Sequence, residues 1–372
     1  MTRMSNEDMN SLGINKSPAD TRVVVAMSGG VDSSLSAALL KEAGYKVVGV
    51  FIRAWEAPGV ACTWRDDRRD AMRVAAELEI PFKTLDLSRE YKTEVVDYLI
   101  AEYKQGRTPN PDVMCNKSIK FGAFFDWAVK NGADYVATGH YAQIKENSQG
   151  FKMMAGEDKE KDQTYFLWTL KKDQLGQVLF PIGHLSKQTV RQEAEKRNLY
   201  TAGKKDSQGV CFLGQLNMTK FLQNYLDLKQ GSVINDQGES IGTHNGVYFY
   251  TLGQRHGFTI TRKTELDLPY YVVAKDVDSN TLTVSQQKKN LPQTETSKII
   301  NLKNVNWLNK EPIKNEVYSC RYRYRGELIP CSIYKQNEEW QVELSEGKKD
   351  IASGQSVVVY KQDECLGGGI VI

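Results

Sequence analysis

Two cysteines lie in segments whose neighbouring residues favour sulfur chemistry. The first, Cys115, follows a loop in which Pro109 and Pro111 oppose helix formation, and a helix is predicted to begin near Lys117. A cysteine just before a helix N-terminus and beside a lysine is expected to have a lowered pKa and to be a nucleophilic thiolate. The alternative is a buried structural cysteine, which is the commoner state of this residue.

The second cysteine is Cys211. Gly209 and the polar residues around it predict a loop, and Lys204 and Lys205 lie close by in the sequence. The same reasoning therefore predicts a thiolate. The six cysteines of the chain are widely spread and form no C-x-x-C pair, so we expect reduced thiols rather than a structural zinc site or a disulfide framework. Neither cysteine identifies a reaction by itself.

A glycine- and serine-rich turn, S-G-G-V-D-S-S at residues 28–34, joins the first predicted strand to the first predicted helix. Gly29 and Gly30 let the backbone turn tightly and approach a ligand closely. The unpaired N–H groups and the dipole of the following helix form an anion site that suits a phosphate or pyrophosphate. The turn lacks both the Walker A lysine and the G-x-G-x-x-G spacing. It resembles the turn of the PP-loop ATP pyrophosphatases, which cleave ATP between the α and β phosphates and transfer AMP; an ordinary tight turn with a capping serine is the alternative.

Arginines and tyrosines alternate as R-Y-R-Y-R at residues 321–325. The run is predicted to be a strand, which places the arginines on one face and the tyrosines on the other. An arginine face suits phosphates and tyrosines can stack on bases, so the run is a candidate RNA surface. The alternative is a barrel strand whose tyrosines face the core. Among the four histidines, whose spacing fits no metal motif, His140 follows a strand end and is predicted to reach a nucleotide.

An α/β domain is predicted to position these groups. Strands and helices alternate along the first part of the chain, which indicates a parallel sheet covered on both faces, with ligands at the carboxyl ends of the strands. The predicted strands are residues 21–27, 45–52, 80–87 and 133–138, and the predicted helices are residues 33–42, 65–79, 90–105 and 117–130.

The pattern changes after about residue 215, where short alternating strands with glycine and asparagine turns replace helical periodicity. We predict an unstructured leader at residues 1–20 and a Rossmann-like α/β domain at 21–215. A small β-rich central domain at 216–290 and a C-terminal β-barrel at 291–372 follow.

The composition is that of an ordinary globular protein. The chain has 372 residues, 40% of them hydrophobic, and a net charge of +3 that neither indicates nor excludes a nucleic-acid partner. No apolar run reaches the ~20 residues of a membrane span, and the polar leader is no secretory signal. We therefore expect a cytoplasmic monomer that does not bind membranes.

Five motifs together identify a family. They are T-P-N-P-D-V-M-C-N-K at 108–117, A-T-G-H-Y at 137–141, K-D-Q-T-Y-F-L at 161–167, K-K-D-S-Q-G-V-C-F at 204–212 and L-G-Q-R-H-G at 252–257. From about residue 21 to the C-terminus the chain resembles the bacterial and organellar tRNA 2-thiouridylases, in which these motifs occur in the same order. The resemblance implies ATP-dependent 2-thiolation of the wobble uridine in tRNAs of the Lys, Glu and Gln type.

The resemblance also implies an ATP site with Mg²⁺ at the glycine turn, where Asp32 would help to hold the metal with the phosphates. The chain departs from the family in having I-R-A-W at residues 52–55 instead of M-K-N-W, and segment 58–69 also differs. An apolar Ile52 still suits an adenine, so nucleotide binding is expected to survive. The residues expected at the nucleotide are Ala26, Met27, Ser28, Gly29, Gly30, Val31, Asp32, Ser33, Ile52 and Gly139.

For sulfur transfer, the resemblance implies that Cys211 carries a persulfide and that Cys115 is its catalytic partner, with a transient disulfide between them. The partners would be tRNA and a persulfide donor, either a cysteine desulfurase or a relay protein. The residues expected to contact RNA are Asn110, Pro111 and Asp112 at the target base, and Lys161, Asp162, Gln163, Arg323 and Tyr324 elsewhere.

The reaction explains why the site needs ATP, two cysteines and a general acid/base. The C2 oxygen of uridine is a poor leaving group until adenylation lets it depart as AMP, and a persulfide on Cys211 then brings sulfur. Cys115 either attacks the Cys211 sulfur and releases the thiocarbonyl, or first reduces the persulfide to sulfide. Asp112 is the candidate general acid/base, with a helix cap as the alternative.

Rival interpretations are another AMP-transferring PP-loop enzyme and a noncatalytic RNA-binding module. A small-molecule ligase would share the phosphate turn but would not need two loop cysteines. A thiolase for 2-thiocytidine usually carries a C-x-x-C pair, which is absent here. The intact turn and both cysteines argue against a noncatalytic module.

Overall fold

The computed structural model describes residues 17–57, 64–148, 150–206, 211–212, 218–226, 229–250, 252–261, 268–286, 297–314, 316–348 and 351–372. The predictions for residues 1–16, for 58–63 in the divergent segment and for 207–210 before Cys211 lie outside these ranges. Residues 17–20, at the end of the predicted leader, lie within the described ranges. Pro18–Asp20 form a 3₁₀ turn, and the Thr21 hydroxyl donates to the Ser17 carbonyl over 2.8 Å.

A parallel sheet forms the centre of the N-terminal region. The strands of this region are β1 Arg22–Ala26, β2 Lys46–Arg53, β3 Phe82–Asp86, β4 Tyr135–Ala137, β5 Ala142–Asn147, β6 Gly150–Ala155 and β7 Val178–Leu179. The sheet order is β3-β2-β1-β4-β7, with parallel pairing throughout. Val24 packs into one hydrophobic core while Val23 and Val25 pack into another, so both faces are covered. The predicted parallel α/β sheet is confirmed. Strand β7 was not predicted, because two residues are too few to show a recognisable periodicity in the sequence.

Helices pack on the two faces of this sheet. The regular helices are Val31–Glu42, Trp64–Glu77, Lys187–Lys196 and Met218–Gln223. Two longer helices are composite: 88–104 combines Ser88–Tyr91, a π-helical stretch Lys92–Asp97 and Tyr98–Lys104, and 111–130 combines Pro111–Met114, a π-helical stretch Cys115–Ala123 and Phe124–Lys130. Short 3₁₀ turns occupy Thr164–Phe166, Lys172–Gln177 and Val247–Phe249.

The second composite helix begins at Pro111, not near Lys117 as predicted. Proline is well suited to the first helical position because its missing N–H would have no partner there. Asn110 caps the helix, since its side-chain oxygen accepts from the Val113 N–H over 3.2 Å. Cys115 therefore lies within the helix and not before its N-terminus.

The central region is a small β structure. Its strands are β8 Gly231–Ile234, β9 Ser240–His244, β10 Thr259–Ile260, β11 Tyr271–Asp276 and β12 Thr281–Ser285, in the order β10-β9-β8-β12-β11. The predicted hairpin of β11 and β12 is present, and its turn residue Asn280 has a positive φ of 51°. Val233, Val272 and Leu282 lie in the core of this region.

The C-terminal region is a closed β-barrel, as predicted. Its strands are β13 Ser297–Trp307, β14 Tyr318–Arg321, β15 Ile329–Gln336, β16 Glu339–Lys348, β17 Ser356–Lys361 and β18 Glu364–Val371. They pair in the order β13-β16-β15-β14-β17-β18, and pairing of β13 with β18 closes the ring. The β5–β6 hairpin of the N-terminal region adds to this sheet through β6 and β18, where Met154 is opposite Glu364. No pattern in the sequence predicted that junction.

The arginine–tyrosine run is a strand only at its first residue. β14 ends at Arg321, and the chain then turns, with Arg325 at a φ of 58° and the Gly326 N–H bonded to the Arg323 carbonyl over 2.9 Å. The predicted separation of arginines and tyrosines onto two faces is therefore wrong beyond Arg321, because strand alternation does not continue through a turn. Within the described ranges, no helix is long and apolar enough to cross a bilayer.

Candidate active site

The structure brings Cys115 and Cys211 together. Their sulfur atoms are 3.3 Å apart although the residues are 96 positions apart in the sequence. Both thiols are free. Cys115 is completely buried in the first turns of its helix, whereas Cys211 is half-buried on the loop above it. Cys211 is thus the less buried thiol of the two and the one that a sulfur donor could reach.

Two side chains hold the main chain of Cys211. The Cys211 N–H donates to the Asp112 carboxylate over 3.0 Å, and the Cys211 carbonyl accepts from the Tyr91 hydroxyl over 2.6 Å. Tyr91 is buried, and its ring meets the edge of Phe212 at 5.9 Å. Asp112 comes from the same helix as Cys115, so one element positions both sulfur atoms. No feature of the sequence distinguishes Tyr91, because it lies in an ordinary amphipathic helix.

The two thiols differ in acidity. A hydrogen bond from the Cys115 thiol lowers the pKa of Cys211, and the nearby Lys120 ammonium lowers it further. Burial, and then the hydrogen bond to Cys211, raise the pKa of Cys115 well above its ordinary value. The predicted thiolate at Cys211 agrees with this arrangement, whereas the predicted thiolate at Cys115 is wrong. The reason is that Cys115 lies inside a helix and in the core.

Lys120 replaces Lys117 as the cation at this site. Lys117 is exposed, while Lys120 is half-buried, and its ammonium favours the charged form of the Cys211 thiol and lowers the pKa of that thiol. The Lys120 ammonium is 3.3 Å from the Nε2 atom of His140, whose Nδ1 atom is 2.7 Å from the Thr138 hydroxyl. His140 is therefore tied to the sulfur site. A π-helical spacing of five residues after Cys115 would have predicted Lys120 at this site, but hydrophobic periodicity in a sequence does not reveal a π-helical stretch.

Asp112 is not the helix cap, because Asn110 has that position. Burial raises the pKa of Asp112, although the Cys211 N–H and Lys120 oppose that rise. A carboxyl group with a raised pKa exchanges protons closer to neutral pH than an ordinary one does, which suits a general acid/base. The geometry therefore favours the chemical role that was predicted for this residue over the capping role.

The glycine turn lies at the carboxyl end of β1, where the α/β topology places a ligand. Gly29 has a φ of +77°, and a Cβ atom on it would lie 2.2 Å from the Asp67 carbonyl oxygen. A Cβ atom on Gly139 would lie 2.7 Å from the Ser33 nitrogen, so Gly139 packs directly against the start of the helix. Ser28 and Ser33 are joined by hydrogen bonds of 3.1 and 3.2 Å. These close approaches form a backbone cradle of the kind that binds phosphates.

Several predicted nucleotide residues have no exposed side chain. Met27, Val31 and Ile52 are buried, and Ile52 is only 4% exposed. Met27 and Val31 can therefore contribute main-chain groups to a nucleotide site, while the Ile52 side chain packs in the core under it.

Asp32 is engaged by two side chains. The Lys187 ammonium donates to both carboxylate oxygens, over 2.8 and 2.9 Å, and the Tyr141 hydroxyl donates over 2.8 Å. Lys187 also pairs with Asp206 at 2.9 Å. No cluster of three or more metal-ligating side chains occurs in the described part of the chain. A single carboxylate beside a phosphate cradle still fits Mg²⁺, which commonly binds one or two carboxylates together with substrate phosphates and water.

A cavity of about 310 Å³ is lined in part by Asp112, the residue that also holds the main chain of Cys211. All three residues predicted at the target base line this cavity, as do both members of the predicted Arg323–Tyr324 pair. Phe166, which the sequence did not single out although it lies in one of the motifs, stacks obliquely on Tyr324 with ring centroids 4.5 Å apart. The lining residues are Thr108, Pro109, Asn110, Pro111, Asp112, Tyr165, Phe166, Tyr322, Arg323, Tyr324 and Gln355.

The segment 161–163 lies beside this region but is less exposed than an RNA-binding segment should be. Asp162 is 2% exposed, accepts hydrogen bonds from the Gly156 and Thr164 N–H groups, and pairs with Arg321 at 3.5 Å. Its side chain therefore supports the loop, and the structure gives no support to the predicted tRNA contact at this residue. Lys161 pairs with Asp206 at 3.1 Å. The Gln163 side-chain oxygen accepts from the Tyr141 N–H over 3.0 Å.

Comparisons with known proteins agree with this architecture. Residues 21–215 match the family model described as the tRNA methyl transferase HUP domain, 219–286 the tRNA methyl transferase PRC-barrel domain, and 297–371 the aminomethyltransferase beta-barrel domain. The tRNA-specific 2-thiouridylase of Lactococcus lactis subsp. cremoris is 45% identical over 96% of both chains. That of Bacillus subtilis is 44% identical over the same shares. A solved 4-thiouridine synthetase–RNA complex with bound ATP matches 55% of this chain and 50% of its own at 19% identity, with a TM-score of 0.37, which is too low to bear on function. On the full-length identity to the curated relatives and the order of the three matched regions, the chain belongs to the tRNA-specific 2-thiouridylase family.

Proposed function

We propose that this protein replaces the C2 oxygen of a tRNA wobble uridine with sulfur, in tRNAs of the Lys, Glu and Gln type. The proposal rests on Asp112, because this one residue contacts both the cavity and the loop of the reactive sulfur. It lines the 310 Å³ cavity and also holds the main chain of Cys211, whose sulfur lies 3.3 Å from that of Cys115. A base in the cavity would thus lie next to the sulfur pair.

ATP is the proposed cosubstrate, bound with Mg²⁺. Adenylation of the base supplies a leaving group, AMP, in place of an oxygen that departs poorly. The N–H groups after Gly30 would bind phosphate oxygens, and Asp32 would hold the metal. Lys187 now neutralises Asp32, so it would turn to the phosphates when the metal takes its place.

Sulfur transfer begins at the more acidic thiol. The Cys211 thiolate attacks the outer sulfur of a donor persulfide, the donor leaves as a thiolate, and Cys211 becomes a persulfide. The terminal sulfur then attacks C2 of the adenylated base, and AMP departs. Cys115 loses its proton, for which Asp112 is the proposed acceptor, and attacks the Cys211 sulfur. The S–S bond to the base sulfur breaks, 2-thiouridine is released, and a Cys115–Cys211 disulfide remains for an external thiol to reduce.

The RNA surface surrounds the cavity. Phe166 and Tyr324 offer an aromatic wall against which an unstacked base can pack, and the exposed Arg323 suits a neighbouring phosphate. Lys161 and Gln163 are proposed as further tRNA contacts. We also propose that the protein acts as a cytoplasmic monomer, with a cysteine desulfurase or a relay protein as sulfur donor.

One experiment tests the activity. The protein is incubated with unmodified tRNA, ATP, Mg²⁺ and a persulfide donor, and digested tRNA is analysed by mass spectrometry. That readout distinguishes oxygen-to-sulfur exchange from the addition of a methyl group, the activity named in the family-model descriptions. Cys211→Ser is expected to abolish thiolation, whereas Cys331→Ser, the same change on β15, should retain it. Full thiolation by the Cys211→Ser protein would refute the proposed sulfur path.

A further inference from the structure

We propose that Lys120 is the positioning residue that keeps Cys211 in its reactive thiolate form, with neutral His140 fixing the lysine ammonium beside the sulfur. The inference rests on the proposed function, because it assigns a role at the same sulfur pair. Lys120 lies five residues after Cys115 in the π-helical stretch Cys115–Ala123.

The wider turn is what brings Lys120 to the sulfur site. Residues five apart face the same way in a π-helix, whereas in an α-helix the neighbours are three and four apart. Gly122, at φ −105° and ψ −105°, allows the distortion, since a Cβ atom there would lie 2.9 Å from the Lys117 carbonyl oxygen. Lys120 therefore follows Cys115 on the buried side while Lys117 faces solvent.

His140 fixes the direction of the ammonium. An ammonium group has donors only, so the Nε2 atom of His140, 3.3 Å away, must accept. The proton of the neutral ring is then on Nδ1, which donates to the Thr138 hydroxyl over 2.7 Å. Burial and the charge of Lys120 lower the pKa of His140 well below its ordinary value, which keeps the ring neutral. His140 thus serves as an acceptor and adds no second positive charge.

Among the charged groups of the described residues around Cys211, Lys120 is the one that favours its thiolate. Cys115 donates as a neutral thiol, Tyr91 donates to the main chain, and the Asp112 carboxylate opposes a second negative charge. The positive charge of Lys120 adds to the effect of the Cys115 hydrogen bond. Burial lowers the pKa of Lys120, but its interactions with Cys211, Cys115 and Asp112 outweigh burial and raise it overall, so the ammonium remains charged.

The test measures the protonation of Cys211 without tRNA or ATP. Full-length protein is treated with iodoacetamide over a range of pH, and alkylation of Cys211 is followed in the tryptic peptide 206–220, while peptide 108–117 reports Cys115. In the wild-type protein the midpoint for Cys211 is expected below that of an ordinary thiol. Lys120→Gln should raise this midpoint by about one pH unit or more, as expected for loss of a close opposite charge.

Two matched variants complete the test, and thermal melting checks that each is folded. Lys120→Arg keeps the charge and should retain the low midpoint, while Lys117→Gln, an equal loss of charge on the exposed side of the helix, should leave it unchanged. An unshifted midpoint in Lys120→Gln overturns the inference, as does a shift in Lys120→Arg as large as that in Lys120→Gln. A protein that passes this test but does not thiolate tRNA would contradict the proposed function and leave the role of Lys120 standing.

Discussion

The Tyr91 hydroxyl donates a 2.6 Å hydrogen bond to the main-chain carbonyl of Cys211, joining the amphipathic helix 88–104 to the segment that carries the reactive sulfur. Tyr91→Phe removes this bond and little else, so we expect a local loss of about 1 kcal/mol and a slower sulfur transfer. Hydrogen–deuterium exchange in peptide 206–220 should rise. Tyr200→Phe, at a tyrosine that is 53% exposed, is the control and should change neither measurement. Unaltered exchange in Tyr91→Phe would show that the hydroxyl does not restrain the loop.

The acidity of Cys211 predicts the pH dependence of sulfur loading. A lowered pKa means that the reactive thiolate persists to a lower pH than in an ordinary cysteine and is lost as the pH falls through that lowered value. Persulfide formation on Cys211 should therefore decline on acidification, at a lower pH than for an ordinary thiol.

Cys115→Ala provides the variant for this prediction, because it removes the thiol that donates to Cys211. The acid decline should move to higher pH, as measured by mass spectrometry of the loaded peptide after reaction with a small persulfide. Cys365→Ala, at a buried cysteine in β18, is the control. A decline at the same pH in the wild-type and Cys115→Ala proteins would contradict the assignment of Cys115 as the hydrogen-bond donor.

The phosphate cradle is predicted to tolerate no side chain at Gly139. A methyl group there would lie 2.7 Å from the Ser33 nitrogen and would force the strand end away from the helix. We expect Gly139→Ala to lose about 1–3 kcal/mol of stability and to weaken ATP binding, measured by thermal melting with and without nucleotide. Gly203→Ala is the matched control, because a Cβ atom on Gly203 meets nothing within 4 Å. Equal melting shifts with ATP in both variants would exclude the cradle as the nucleotide site.

The aromatic wall of the cavity is predicted to bind RNA and not ATP. Tyr324→Ala should weaken tRNA binding by about 1–3 kcal/mol through the loss of a stacking surface, with ATP affinity unchanged. Affinity is measured by filter binding at fixed salt, with Tyr200→Ala as the control. Equal tRNA affinities for the wild type and Tyr324→Ala would place the base elsewhere.

The fold was predictable where a hydrophobic pattern extends over a whole strand or helix, and the site was predictable where its residues are neighbours in the sequence. The valines of β1 predicted a buried parallel strand, which is confirmed. The glycine turn after it predicted a phosphate cradle, which stays a prediction, although the turn shows the close backbone approaches that such a cradle needs. Lys117 was named because it lies beside Cys115 in the sequence. Lys120 reaches the sulfur site through a π-helical stretch, and single-residue propensities do not predict such a stretch. Pro111 was interpreted as a helix breaker because proline both interrupts helices and starts them.

Contacts between distant segments were the least accessible to prediction. The hydrogen bond from the Tyr91 hydroxyl to the Cys211 carbonyl and the packing of Phe166 on Tyr324 both join residues far apart in the sequence. No local pattern distinguishes these aromatic residues from ordinary core aromatics. The run at 321–325 alternates like a strand, yet its turn is imposed by the barrel and by the contacts of Arg321 with Asp162.

The β5–β6 hairpin makes the last strand of the chain part of the support for the first domain. One edge of β18 pairs with β17, while the other edge pairs with β6 at Glu364 and Cys365 and with β13 between Gly367 and Val371. Removing β18 would therefore leave all three neighbouring strands with unsatisfied edges. The C-terminal barrel is consequently no detachable appendage, because its strand β18 and the β5–β6 hairpin form one continuous sheet.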